Sequence, residues 1–306
     1  MNIRITKLTK KNRIFKRIIS LTPLFAGNLA LAILKIFHYR STLTTHLANK
    51  HGTIGFVPTM GALHSGHIEL VKASIKKCDT TVVSIFVNPK QFNNPVDLLK
   101  YPKTREEDLK KLFAAGADIV FLPQVEEVYS NENIPETHIT PLNLVFEGEK
   151  RPGHFKGVTD VLYLLFEIVQ PNHVFFGLKD LQQCLVVERL IAQHFPNIWQ
   201  HNEATARESS GLAMSSRNTR LSRHGKNTAS CIYKELVKLN NPDADFTVVA
   251  SLSIANLLAL GIQTEYLNLV DLPNLVKNDS INIKFKQAIV YAGFLEGVRL
   301  IDNLLI

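Results

Sequence analysis

The chain is expected to be an α/β protein, a doubly wound parallel sheet followed by a smaller C-terminal α+β domain. Three observations predict this. Short apolar, β-branched runs alternate with helical stretches from about residue 31 to residue 205, the signature of strands joined by crossover helices. Beyond residue 205 that alternation stops. Two helices are followed there by two strand-like runs. With 306 residues, 45% hydrophobic and 20% charged, the chain is long enough for two cores and has the composition of a folded protein.

The elements follow in order. Thr53–Pro58 reads as a buried strand that ends in a glycine turn, and Ile68–Lys77 as the helix behind it. Thr80–Val87 is a β-branched strand. Thr104–Ala115 is a helix with acidic residues near its start, where they complement the helix dipole. Asp118–Pro123 is a strand; Val158–Val169 is a helix stopped before Pro171; His173–Gly177 is a strand. Leu181–His194 and Ile198–Glu203 complete the alternation as helix and strand. The later unit holds helices at Arg223–Leu239 and Thr247–Leu260 and strands at Gln263–Val270 and Lys284–Ala292. The expected division is therefore an N-terminal extension over 1–30, a first domain over 31–205 and a second over 206–306.

The formal net charge of +8 is concentrated at one end. Residues 1–30 hold seven of the 35 basic residues and no Asp or Glu, which leaves 28 basic against 27 acidic residues in the body. A nearly neutral body lacks the basic footprint of a nucleic-acid binder. The basic start is followed by a mostly apolar run, Ile18–Phe37, interrupted by Pro23, Gly27, Asn28 and Lys35. That run is short of the roughly 20 residues needed to cross a bilayer. An upstream extension of the reading frame is the favoured reading. An amphipathic helix lying on the body, a membrane-surface segment and a targeting segment stay open. Cys78, Cys184 and Cys231 form no CxxC pair, so neither a disulfide scaffold nor a thiolate zinc site is expected, and a reducing compartment suits them.

Five motifs bear on chemistry. In GFVPTMGALHSGH, Gly55–His67, a strand runs into a glycine turn and a helix start. Gly61 and Gly66 permit close backbone approach by a ligand. His64 and His67 share a face near that helix end, where free N–H groups favour phosphate. Metal binding by the two histidines is disfavoured, since no third ligand is evident. In GLKDLQQ, Gly177–Gln183, Lys179 and Asp180 follow a strand's C-terminal end, where open α/β sheets bind ligands. Lys179 suits phosphate, and Asp180 suits a ribose hydroxyl or Mg²⁺. Met214–Asn218 supplies two hydroxyls and a guanidinium suited to oligophosphate. Ile85–Phe92 and Arg151–Val158, standing alone, read as ordinary loops. No GxxxxGK[ST], GxGxxG or GxSxG pattern occurs.

Taken in order, the five motifs resemble the pantothenate synthetase (pantoate–β-alanine ligase) family over about residues 31–306, including Arg299–Asn303. PTMGALHSGH alone resembles the wider HxGH nucleotidyltransferase superfamily. The resemblance implies a Rossmann-like fold and a homodimer; a cytoplasmic location is expected, with no nucleic-acid partner, as the charge distribution indicates, and a membrane partner disfavoured. It implies ATP-dependent condensation of pantoate with β-alanine through pantoyl adenylate, with Mg²⁺ and release of AMP and pyrophosphate. Met60, Gly61, Ala62, Leu63, His64, Ser65, Gly66 and His67 would line the ATP site, with His67 as proton donor and His64 on the phosphates. Gly177, Leu178, Lys179 and Asp180 would also hold ATP, Lys179 on phosphate. Ala206 would contact adenine through its backbone, and Met214, Ser215, Ser216 and Arg217 would cover the triphosphate. Gln91 and Gln183 would hold pantoate, Gln91 also lying near β-alanine. His67, His64 and Lys179 are the expected catalytic residues, and no protein metal site is implied.

The chain departs from the family pattern at Leu178, Leu181 and Ser210, where Glu, Tyr and Asp are usual, and at Ala206, where Val is usual. Weaker ATP affinity or loop ordering could follow. Two alternatives stand beside the ligase: an adenylyl- or nucleotidyltransferase acting on another small carboxylic acid, and a nucleotide-binding paralogue or membrane-associated scaffold without activity. A chain lacking residues 1–30 is expected to keep its turnover. A truncated protein that folds but has lost most of its activity overturns the extension reading.

Overall fold

The computed structural model describes residues 34–92, 98–99, 101–130, 133–282, 284 and 286–306. The expected extension over residues 1–30 lies outside them. The last residues of the apolar run belong to the body: Lys35–Phe37 form an edge strand, β1.

Six strands make one all-parallel sheet. Besides β1 they are β2 (Ile54–Thr59), β3 (Thr80–Ile85), β4 (Ile119–Phe121), β5 (His173–Gly177) and β6 (Trp199–Glu203). Their order is β1-β4-β3-β2-β5-β6. The chain builds outward from β2 to β4 and then resumes on the other side of β2 with β5. The order therefore reverses between β2 and β5, the switch point at which such sheets leave a crevice at the strands' C-terminal ends.

Side-chain alternation along each strand divides the core. Phe56, Val82, Ile119, Phe121, Val174 and Phe176 point to one face. They pack there against α1 (Arg40–Ala48), α4 (His154–Val169) and α5 (Leu181–His194). Val57, Val83, Val120 and Phe175 point to the other. They meet α2 (Ser65–Lys77) and α3 (Arg105–Ala115). Both faces are covered at the centre of the sheet, so Phe56–Val57, Val82–Val83 and Val174–Phe176 run apolar on consecutive residues, whereas the edge strand β6 is mostly polar. Helix α3 has Glu106, Glu107 and Asp108 in its first turn and stops at Gly116, whose φ of 86° is the left-handed cap glycine tolerates best.

A four-stranded antiparallel sheet follows, ordered β10-β9-β7-β8. Its strands are β7 (Gln263–Asp271), β8 (Val276–Asn278), β9 (Gln287–Leu295) and β10 (Val298–Leu305). Helices α6 (Arg223–Leu239) and α7 (Phe246–Ala259) cover one face, meeting Leu267, Leu269, Ile289 and Tyr291. Both helices have side-chain caps: Ser222 accepts from the Gly225 N–H, and Asp245 from Thr247 and Val248. The sheet's other face, through Val270, Ala288 and Val290, joins the main core of the first unit.

The sequence reading finds most elements within a few residues; besides short helical turns such as Val125–Val128 and Phe146–Lys150, it misses four. β1 is three residues long and hidden in an apolar run. α1 buries only Leu43 and Leu47 and has little amphipathic pattern. β8 is three residues long and two-thirds exposed. β10 was within reach, because Glu296 and Gly297 both have positive φ and form its hairpin turn. Helices α2 and α4 also begin three or four residues earlier than expected, at Ser65 and His154.

Gly157 fixes how α4 meets the turn after β3. A β-carbon there would lie 2.5 Å from the Lys90 carbonyl oxygen and 2.8 Å from the Gln91 Cα. Both are backbone atoms with no side chain to give way. Gly157→Ala is expected to cost about 1–3 kcal/mol in urea unfolding, the usual range for overpacking. An unchanged midpoint and slope would show that the turn yields freely.

Candidate active site

The crevice at the switch point is where the motifs meet. The turn after β2 is held from α3. The buried Asp108 carboxylate accepts from the N–H groups of Ala62 at 2.9 Å and Leu63 at 2.8 Å. Ala62 and Gly61 both have positive φ, so this carboxylate is what keeps a non-glycine residue in a left-handed turn. Sequence reading treated Asp108 only as a dipole-compatible charge.

Helix α2 then starts at His64, its N-cap, with His67 in the first turn. The His64 N–H donates to His67 Nδ1 at 3.3 Å. This leaves the His67 proton on Nε2. The two rings lie 4.0 Å apart. The His64 side chain faces the backbone N–H of His67 in return, so the two histidines form a capping box at the start of the helix. Burial lowers His67 to about 3, with His64 and Lys179 adding to the effect and Asp180 opposing it. Burial and then Lys179 lower His64 to about 4. Both imidazoles are therefore neutral near pH 7 and act as hydrogen-bonding groups.

Of the PTMGALHSGH residues, Met60, His64, Gly66 and His67 line the cavity. Gly61, Ala62 and Leu63 do not. They build the turn, and the Leu63 side chain is buried in the core behind it. Ser65 faces outward, its hydroxyl donating to Met214 Sδ. Gly66 is enforced by crowding, since a β-carbon would stand 3.0 Å from the His64 ring and 3.2 Å from the Ala206 Cβ.

After β5, Gly177, Lys179 and Asp180 line the same cavity. A β-carbon on Gly177 would meet no described atom within 4 Å. Lys179 Nζ pairs with Asp180 Oδ1 at 3.2 Å. Withdrawal into the cleft works to raise Asp180, but Lys179, Arg217 and His67 outweigh it and hold the carboxyl low. Leu178 departs from the expected lining. Its side chain packs on the main core, and its carbonyl faces the C-terminal sheet. Leu181 is buried as well and forms part of the apolar cavity wall.

Gln91 and Gln183 reach the cavity from the turn after β3 and from α5. The Arg151–Val158 motif supports Gln91. His154 Nδ1 donates to the Gln91 carbonyl at 2.8 Å, and Arg151 donates to His154 Nε2 at 3.0 Å. The Gln91 amide oxygen accepts from Asn88, which also donates to the Gly157 carbonyl. Burial, followed by the charge of Arg151, lowers His154 to about 4. This network was missed because its parts, each an ordinary loop in sequence, meet only when α4 packs on the β3 turn.

The C-terminal unit closes the cavity with Ala206 and Met214–Arg217. The Met214 N–H donates to the Ala206 carbonyl at 2.9 Å, and the Ser215 hydroxyl accepts from the Arg217 N–H. Ser210 accepts from the Leu212 N–H at 3.4 Å. Its hydroxyl thus takes a loop amide that an Asp side chain could also hold. Arg207 stacks 3.6 Å above the Tyr233 ring. Glu147 and Tyr266 also line the cavity, and neither was singled out from the sequence.

His64, His67 and His154 make stability depend on pH in one direction. In the unfolded chain each takes its proton near 6.5, and in the folded chain only near 4 or 3. As pH falls, the unfolded state binds protons first. Stability is therefore full above about 6.5 and is lost progressively toward pH 4, by up to about 1.4 kcal/mol per pH unit for each histidine. Urea unfolding at pH 7 and pH 5 is expected to show this fall, with a shallower one in His154→Gln. Identical pH dependence in that variant would remove His154 from the account.

Comparison with known proteins agrees with this geometry. The family model described as pantoate–β-alanine ligase matches residues 33–305. A pantothenate synthetase of Cytophaga hutchinsonii is 44% identical over 273 residues, 86% of this chain and 96% of that protein. One from Alteromonas mediterranea is 42% identical over 280 residues, 89% of this chain and 99% of that protein. The solved pantothenate synthetase from Thermus thermophilus superposes with a TM-score of 0.81 at 34% identity, covering 88% of this chain and 98% of its own. The pantoate–β-alanine ligase from Francisella tularensis, solved with β-γ ATP and β-alanine, gives 0.76 at 31%, with 89% and 98% covered. Nearly the whole described body is matched end to end, and the chain belongs to the pantoate–β-alanine ligase family.

Proposed function

We propose that this cavity carries out the ATP-dependent ligation of pantoate to β-alanine that membership of the family gives the chain, with its residues in the following roles. One observation supports the assignment above the others. A single cavity at the switch point gathers neutral imidazoles, a lysine, an arginine with two serine hydroxyls, and two amide side chains. Cations and N–H donors suit a nucleoside triphosphate. Paired amides suit a small hydroxy acid. No serine or cysteine nucleophile is needed, because pantoate brings its own carboxylate.

In the first step a pantoate carboxylate oxygen attacks the α-phosphorus of ATP. The bond to the bridging oxygen breaks, and pyrophosphate leaves with that electron pair. Lys179 and Arg217 offset the charge that gathers on the phosphate oxygens. His64 and His67 contribute hydrogen bonds as neutral rings, with Nε2–H as the donor on His67. Gln91 and Gln183 hold pantoate so that its carboxylate is aligned. In the second step the β-alanine amine attacks the acyl carbon, AMP departs, and the amine proton passes to solvent. Ala206 forms the adenine wall through its backbone. Residues 206–306 act as the lid over a nucleotide-binding domain of residues 31–205.

Mg²⁺ fits this cavity as a companion of ATP. Among the described residues no group of three His, Cys, Asp or Glu side chains is placed to hold a metal. Asp180 is a carboxylate on the Lys179 wall, and one carboxylate plus substrate phosphates is a common way of holding this ion. Bound there, Mg²⁺ would neutralise phosphate charge. No described helix is long and apolar enough to cross a membrane. The cytoplasmic location and the homodimer remain inferences from the family.

AMP formation from ATP by the full chain is expected only when pantoate and β-alanine are both present. In that assay His67→Ala is expected to lower kcat by at least about 100-fold, the scale of one well-placed transition-state donor. Turnover with a different acid and none with pantoate would favour an adenylyltransferase of other specificity. An unchanged kcat in a folded His67→Ala protein removes the role given to that ring.

A further inference from the structure

We propose that Asn303, on the C-terminal strand β10, is a positioning residue for the phosphate-binding lysine. This rests on the ligase reading above. The Asn303 amide nitrogen donates one hydrogen to the Leu178 carbonyl at 2.8 Å and the other to the Lys179 carbonyl at 2.9 Å. Both peptide planes of the turn that presents Lys179 are thus fixed by one side chain from the other unit. Asn303 is buried, so neither carbonyl readily replaces it with bulk water.

Asn303 is itself held. Its N–H donates to Asp302 Oδ1 at 2.8 Å. Asp302 accepts from both terminal nitrogens of Arg207, at 2.7 and 2.9 Å. Arg207 also donates to the Asn303 carbonyl at 3.2 Å. The residue before Arg207 is Ala206, which lines the cavity. A continuous chain of hydrogen bonds, charge-assisted at its Arg207–Asp302 and Asp302–Asn303 links, therefore runs from the residue beside the Ala206 wall through Arg207, Asp302 and Asn303 to the Lys179 backbone. Its effect is to set the separation between the wall proposed for adenine and the lysine proposed for phosphate. ATP spans that separation, whereas pantoate and β-alanine do not.

The choice of amide is specific. Asparagine is the small side chain that offers two N–H donors from one nitrogen. An aspartate in its place would aim carboxylate oxygens at two carbonyl oxygens while keeping the size.

The test is Asn303→Asp in the complete chain, with Asn303→Ala as the second variant and thermal melting as the check of folding. Wild-type turnover with pantoate and β-alanine is measured first, so that failure of the ligase reading shows there and not in the variants. The expected result is a rise of about tenfold or more in KM for ATP, the scale of one to two lost hydrogen bonds. KM for pantoate and β-alanine should change by less than about twofold. In a Lys179→Ala background the same substitution should add less than about twofold, because the group it positions is gone. Equal rises in all three KM values would make Asn303 a general structural residue and overturn the proposal. So would a full additional loss in the Lys179→Ala background, or an unchanged KM for ATP in both folded variants.

Discussion

One carboxylate ties the two units of the molecule together. Glu147, on a helical turn of the first unit, accepts from both terminal nitrogens of Arg299 on β10, at 2.8 and 2.7 Å, and from the Tyr266 hydroxyl on β7 at 2.8 Å. Burial would raise Glu147, but Arg299 and then Tyr266 and Arg151 outweigh it and keep the carboxyl low. Arg299 also holds Glu265, so its charge is shared between the units. A paired buried carboxylate of this kind adds little compared with an apolar replacement, yet removing one partner strands the other at a cost of about 3–5 kcal/mol. Its value lies in geometry. The Glu147 N–H donates to Gln182, whose amide nitrogen in turn holds the Leu142 and Val145 carbonyls. Gln182 is the neighbour of Gln183, so the seating of the C-terminal sheet and the seating of the amide proposed for pantoate share one set of bonds.

The electrostatics of the cavity follow from what surrounds the imidazoles. His64 and His67 lie among Lys179, Lys111 and buried backbone, and every cation there works against protonating them. In the proposed ATP site, lysine and arginine would face the polyanion while the neutral imidazoles offer directed N–H groups. Asp180 softens this field locally. Arg151 shows the opposite limit, with burial lowering it to about 10 even beside Glu147.

Most of the first unit was legible because strand alternation and helix periodicity are local. The β2 turn, the Lys179 turn and the Met214–Arg217 loop were found for the same reason: each is a contiguous run of unusual residues. The supporting shell was not. Asp108, His154, Glu147, Asp302 and Asn303 act on partners tens to more than a hundred residues away, and each looks ordinary among its sequence neighbours. Ala62, Leu63 and Leu178 show the converse limit. Membership of a motif does not say whether a side chain faces ligand or core.

The inner face of the antiparallel sheet is also part of the principal core. Val270, Leu275, Ala288 and Val290 pack into the same apolar cluster as Phe56 and Phe166. A lid attached only by a linker can swing open as a rigid flap. One whose apolar face is continuous with the body can move only by sliding, because gaping would expose that face to water at roughly 25 cal/mol per Å². Gaping of this sheet away from the body would therefore expose apolar area that a shear displacement keeps covered.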